Sequence, residues 1–285
     1  MENSMLRYLL RILAFFAVLG IAAPVLAETP AWRVGMTPAF LNDQHIVLED
    51  WRAYLEKKLG HKIEFVQRDS YRETMDLLRL GKLEFAWICD YPYVHLKDQV
   101  RLLAVPVNQG KPLYRSYLIV SARDPHTQSL AQLRGKVFAY ADPYSNTGYL
   151  VPRYQLHQMG EDPEKFFSRT FFTWSHRKAI EAVASGVAQG AAVDSFVWDT
   201  LAKVSPELTA RTRIAARSPE YGFPPFIAHR SVSAGDFKIM QDGLISMGQD
   251  ADGTALLQRL NLDGFTPGDP GIYKGVTQMM KVLGE

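Results

Sequence analysis

Short apolar runs rich in β-formers alternate with segments whose apolar residues recur at helical spacing, from Trp32 almost to the C-terminus. That alternation restricts the chain to an α/β architecture with largely parallel sheets. Strands are expected over 32–36, 62–67, 85–89, 102–107 and 114–121. The run Phe85-Ala86-Trp87-Ile88-Cys89 is almost wholly apolar, as for a strand covered on both faces. Between the strands, Leu48, Trp51, Leu55 and Leu59 mark one helix that Gly60 closes, and Met75 and Leu78 mark a second that Gly81 closes.

At Ala122-Arg123-Asp124-Pro125 the polarity changes and the pattern starts again. A short helix over 129–134 precedes a strand over 136–140 and a helix over 147–159. Strands over 171–174 and 191–193 then alternate with helices over 176–184 and 196–204. Tyr221-Gly222-Phe223-Pro224-Pro225 reads as a return crossing, followed by helices over 236–247, 254–260 and 276–283. The order implies one lobe inserted into another. Residues 28–121 with 225–285 would build lobe 1, and 122–224 would build lobe 2. Two crossover strands would form a hinge, and ligand contacts would gather in the cleft at strand ends.

The N-terminus fixes the expected compartment. Arg7 and Arg11 precede an apolar run from Ile12 to Ala23, broken by Pro24, with Val25-Leu26-Ala27 as a small-residue cleavage sequence. This is the layout of a secretory leader over residues 1–27, and the run is short for a membrane span, which takes roughly 20 apolar residues. A mature chain of about 258 residues beginning near Glu28 and working in the periplasm is expected. The net charge of +2 lacks the dense basic stripe of a nucleic-acid binder. Cys89 is the only cysteine, so no internal disulfide forms, and its apolar neighbours suggest a buried, inert thiol.

Candidate chemistry sits where strands end. In Ala141-Asp142-Pro143-Tyr144-Ser145-Asn146-Thr147-Gly148, small hydroxyl residues open a helix. Unpaired backbone N–H groups and the hydroxyls of Ser145 and Thr147 suit an anion there, and Gly148 would allow close approach. The ordinary alternative is that Ser145 merely caps the helix. Ser175-His176 opens another helix, where an imidazole either donates to an oxyanion or is merely satisfied at the helix start. Asp194, at the end of Ala191-Ala192-Val193, is either a helix cap or an acceptor for a P–OH group that would repel a fully deprotonated anion such as sulfate. Tyr93, and less so Tyr91, would close from lobe 1, with Thr37 as a further donor. Trp87 reads as core. There is no His-Glu-x-x-His motif, no Gly-x-Ser-x-Gly elbow and no cluster of metal carboxylates, so no metal, cofactor or enzymatic activity is expected.

The run Leu130 to Gly135, then Ser145-Asn146-Thr147-Gly148-Tyr149 with Pro152, Ser175-His176, and the Val193-Asp194 strand end resembles the phosphate/phosphite/phosphonate-binding proteins of ABC importers. Gly110-Lys111-Pro112-Leu113-Tyr114-Arg115-Ser116 extends the likeness over nearly the whole mature chain. The resemblance implies a type II periplasmic-binding fold. It implies phosphonate oxygens held by the helix start of Ser145, Asn146 and Thr147, by His176 and Asp194, and by a tyrosine matching Tyr93. Asn146 is a departure, since phosphonate-binding members often carry an unbroken Ser/Thr series there. The implied partners are a small anionic ligand and an inner-membrane ABC permease, or alternatively a sensor kinase. A monomer is expected.

Overall fold

The computed structural model describes residues 30–37 and 45–285. The expected leader therefore lies outside the described residues. Thirteen strands and eleven α-helices alternate among those described. The first half runs β1 (Trp32–Met36), α1 (His45–Leu59), β2 (Ile63–Gln67), α2 (Tyr71–Arg79), β3 (Phe85–Trp87), α3 (Asp90–Leu96), β4 (Val100–Val107), β5 (Leu113–Tyr114) and β6 (Ser116–Ser121). A 3₁₀ turn, Leu130–Leu133, leads to β7 (Val137–Tyr140), a π-turn over Asn146–Leu150, α4 (Val151–Gln158), α5 (Pro163–Phe166) and β8 (Arg169–Phe172). Then come α6 (His176–Ala184), β9 (Gly190–Asp194), α7 (Ser195–Val204), α8 (Pro206–Thr209), β10 (Thr212–Arg217), β11 (Tyr221–Gly222) and β12 (Phe226–His229). The chain finishes with α9 (Ala234–Ile245), α10 (Ala251–Arg259), β13 (Gly264–Pro267) and α11 (Lys274–Leu283).

Two sheets organise these elements. The first has the order β13-β4-β12-β3-β1-β2, and the second β10-β6-β9-β7-β8. Strand β1 pairs in parallel with β2 and β3, and β7 with β8 and β9, while β4, β6, β10, β12 and β13 pair antiparallel. The sheets are thus mixed, not largely parallel. Apolar runs report burial on both faces and say little about strand direction, which the returning strands set here.

The crossing between sheets lies earlier than expected. Residues 116–121 were assigned to lobe 1, with the boundary at 121/122. Strand β6 instead pairs with β9 and β10 in the second sheet. The apolar stretch over 114–121 is two strands that part at Arg115: Leu113–Tyr114 pairs with Tyr221–Gly222 in a two-stranded ribbon between the sheets. Hydropathy cannot mark that division, because both pieces are buried. Helix α3 was also not foreseen, since Pro92 falls inside it. Proline is tolerated there because the first turn needs no N–H from that residue.

The core under the first sheet is aromatic. Trp51 is fully buried and meets Trp87 at 6.0 Å and Phe226 at 5.8 Å between ring centres. The indole N–H of Trp87 donates to the Pro224 carbonyl at 2.9 Å, which satisfies its one polar atom. Trp87 is therefore core. Leu150, Val151 and Phe196, from the second-sheet half, pack into this same cluster. So the two halves share apolar surface as well as the polar contacts described next.

Candidate functional site

Three segments are tied together across the two halves: the start of α2, whose Tyr71 N–H bonds Asp142, the start of α3, whose Asp90 bonds Asn146, and the π-turn with Ser145, Asn146 and Thr147; Thr37 follows β1, its N–H on the Trp87 carbonyl. His176 and Asp194 stand behind the turn. Thr37, Asp90, Ser145, Asn146 and Thr147 have no exposed surface at all. Water cannot satisfy polar groups buried this deeply unless it is trapped with them, so each bond must be accounted for.

The relay behind Ser145 closes with one proton left over. The backbone N–H of Asp194 donates to His176 Nδ1 at 3.1 Å, so that nitrogen carries no proton. Burial pushes the His176 pKa down to about 3, which keeps the ring neutral. Its proton therefore sits on Nε2, 3.2 Å from Ser145 Oγ. Ser145 Oγ also accepts from Gly148 N–H at 3.0 Å. With both lone pairs taken, the Ser145 hydroxyl can act only as a donor. Both nitrogens of His176 are thus committed within the protein, as for a histidine satisfied at a helix start. Gly148 is likewise not held open for a ligand. A Cβ there would lie 2.5 Å from Ala141 Cβ and 2.9 Å from His176 Cε1, so the glycine is required by packing. The π-turn, with Leu150 N–H reaching back to the Ser145 carbonyl at 3.0 Å, replaces the regular helix start that was expected. The dipole argument gives way to side-chain donors.

Asp194 caps α7, its Oδ1 accepting from Phe196 N–H at 2.7 Å and Val197 N–H at 3.3 Å. Burial nonetheless raises its pKa to about 8. Asp90 reaches across to the other half: its Oδ2 accepts from Asn146 Nδ2 at 2.7 Å and its Oδ1 from the Tyr114 hydroxyl at 2.7 Å. Cys89 Sγ donates to the same Oδ1 at 3.0 Å, and burial pushes this thiol well up, as suits an inert group. Asp142 accepts from Tyr71 N–H at 3.1 Å and Tyr144 N–H at 2.7 Å. Burial raises Asp90 and Asp142 each to about 6. No ion pair found among the described residues involves Asp90, Asp142 or Asp194.

Against these carboxyls stand hydroxyls with nothing to bond. Thr37 Oγ1, Thr147 Oγ1, Tyr71 Oη and Asn146 Oδ1 are buried and have no partner among the described residues. The Tyr71 phenol is held well above its usual range by burial, reinforced by the charges of Cys89, Asp142, Asp194 and Asp90. The arrangement is a buried polar cluster of hydroxyls and neutral or neutralisable acids.

Tyr91 is buried and its hydroxyl donates to Glu285 Oε2 at 3.0 Å. Tyr93 packs edge-on against Tyr273 at 4.9 Å, and no described contact ties it to Ser145 or Thr147. The phenol with direct bonds to this cluster is Tyr114, and Tyr71 joins it through its N–H to Asp142. Sequence reasoning passed over Tyr71, Asp90, Tyr114 and Asp142. Asp90 carries the same signal that marked Asp194, an acid ending an apolar strand. Tyr71 follows Ser70, whose side chain caps α2, and so stands at a strand-to-helix junction like Ser145.

Comparison with known proteins agrees in kind. The family described as ABC transporter, phosphonate, periplasmic substrate-binding protein matches residues 34–273. The phosphonates-binding periplasmic protein of Escherichia coli (strain K12) is 24% identical over 263 residues, covering 89% of this chain and 77% of its own length. A binding-protein component of a Pseudomonas aeruginosa phosphonate ABC transporter superposes with a TM-score of 0.81 at 23% identity, covering 88% of this chain and 86% of that one. A Prochlorococcus marinus protein in complex with methylphosphonate gives a TM-score of 0.78 at 20% identity, covering 89% and 98%.

Proposed function

Since this chain belongs to the family of periplasmic substrate-binding proteins of phosphonate ABC transporters, we propose that its interlobe cluster captures a small tetrahedral phosphorus oxyanion: a phosphonate, phosphite or phosphate. The observation that carries the reading is the set of orphaned buried hydroxyls on both halves, Thr37 and Tyr71 on one and Thr147 with the spare proton of Ser145 on the other. Each would bond a ligand oxygen. Because donors come from both halves, a bound oxyanion favours the closed arrangement, which is how binding becomes a shape change that a permease can read. Ser145, Thr147, Thr37 and Tyr71 are the direct contacts in this reading, and His176 positions Ser145. Residues 1–27 act as a cleavable leader, and the mature protein works as a monomer with an inner-membrane permease and no chemistry of its own.

Titration calorimetry of the mature protein with phosphate, phosphite, methylphosphonate, 2-aminoethylphosphonate and sulfate tests this. Saturable binding of a phosphorus compound, weakened in Ser145→Ala and in Tyr71→Phe, is expected. Folded protein, freed of carried-over ligand, that takes up none of them rules the reading out.

A further inference from the structure

The cluster holds one group that a fully deprotonated oxyanion cannot satisfy. Its other unpartnered atoms, on Thr37, Tyr71 and Thr147, are hydroxyls, which rotate to donate. Asn146 cannot adapt in that way, because its amide is locked. One Nδ2 proton goes to Asp90 Oδ2 at 2.7 Å, and Tyr114 Oη lies 3.2 Å from the same nitrogen. Tyr114 gives its own proton to Asp90 Oδ1, so toward Asn146 it can only accept. Turning the amide over would set its carbonyl against a carboxylate and a spent hydroxyl. The orientation is therefore fixed, and Oδ1 is left buried, with no partner among the described residues. A carbonyl oxygen accepts and never donates, and leaving it unpaired costs free energy.

From this we infer that Asn146 is a specificity-determining residue whose Oδ1 accepts a hydrogen bond from a proton carried on the ligand, so that the site takes a phosphorus oxyanion bearing a P–OH group in preference to its fully deprotonated form or an isosteric sulfonate. The inference rests on the reading of the cluster as the oxyanion site. Asp90 and Tyr114 act here as positioning residues. A hydroxyl at position 146 would lose the distinction, since serine or threonine can turn to donate to a bare oxygen. The other titratable groups around the amide are Cys89, Asp90, Tyr71, Tyr114, Asp142, His176 and Asp194, and no described ion pair brings a lysine or arginine to them.

The discriminating pair is methylphosphonate and methanesulfonate, alike in shape, of which only the first carries a proton near neutrality. Calorimetry on the wild-type mature chain is expected to show methylphosphonate bound at least about a hundredfold tighter than methanesulfonate. Asn146→Ser and Asn146→Thr, each checked for native-like thermal unfolding, are expected to narrow that ratio by about tenfold. An unchanged ratio in either folded variant overturns the inference and assigns Oδ1 to a trapped water. Should neither variant fold, the wild type decides: affinity for methylphosphonate that holds or rises as pH passes its second ionisation overturns the inference, and a fall in affinity that persists in Asp194→Asn supports it. If the wild type binds neither methylphosphonate, phosphite nor phosphate, the proposed function fails and this inference fails with it.

Discussion

At the residue scale, neutral groups do the holding, and proton bookkeeping follows from burial. Asp194 has a pKa near 8 in the folded chain against an ordinary value of 3.8, so folding retains a proton that the unfolded chain releases. Its contribution to stability is complete below the ordinary value and is lost as pH rises through about 8. Asp90 and Asp142, each near 6, act in the same direction over a lower window. His176 acts oppositely. Its folded value near 3 lies below 6.5, so its contribution is present above 6.5 and is lost as pH falls toward 3. Asp194→Asn keeps an N-cap side chain and is expected to flatten the loss of melting temperature on the alkaline side; thermal unfolding across pH checks it, and a curve parallel to wild type rejects it. Binding should show the relay as a unit. Ser145→Ala is expected to weaken it by about 1–2 kcal/mol, and adding His176→Ala should cost little more, because His176 acts through that hydroxyl. Additive losses in the double-mutant cycle would mean that His176 touches the ligand itself.

At the scale of elements, the π-turn over Asn146–Leu150 and the first turns of α2, α3 and α6 supply the cluster, and their packing fixes side-chain direction. Gly148→Ala forces a Cβ to within 2.9 Å of His176 and 2.5 Å of Ala141, and so should move the turn. A loss of about 1–3 kcal/mol in unfolding free energy is expected, with oxyanion binding reduced more than stability alone explains. Chemical denaturation and calorimetry on the same variant separate the two effects. Junctions of this kind are legible as strand ends followed by polar residues, which is how Ser145, Thr147, Asp194 and Thr37 become candidates. Helix α3 is not legible in that way, and once Asp90–Leu96 coils, Tyr91 and Tyr93 leave about 200° apart and cannot share one wall.

At the scale of the whole molecule, the two sheets are held together by contacts that need no ligand. Asn146 bonds Asp90, Tyr71 N–H bonds Asp142, and Arg153 pairs with Glu285. A closed form with its own bonds binds more tightly, since less of the ligand's affinity is spent on closure. Arg153→Ala removes one such tie away from the cluster and should weaken oxyanion binding by ~1 kcal/mol, roughly fivefold. Small-angle scattering of the ligand-free variant should show a larger radius of gyration, and an unchanged affinity would mean the pair adds nothing to closure. The alternation of strands and helices, the return crossing near Tyr221 and the hydroxyl-rich turn were all determined by sequence, because local propensity and hydropathy act over a few residues. The pairing of β6 with the second sheet, the retreat of His176 behind Ser145 and the arrival of Tyr71, Asp90 and Asp142 at one place were decided by tertiary structure. Those outcomes depend on residues 30 to 100 positions apart meeting in a dry interior, where each proton must find an acceptor, and no local pattern encodes that match.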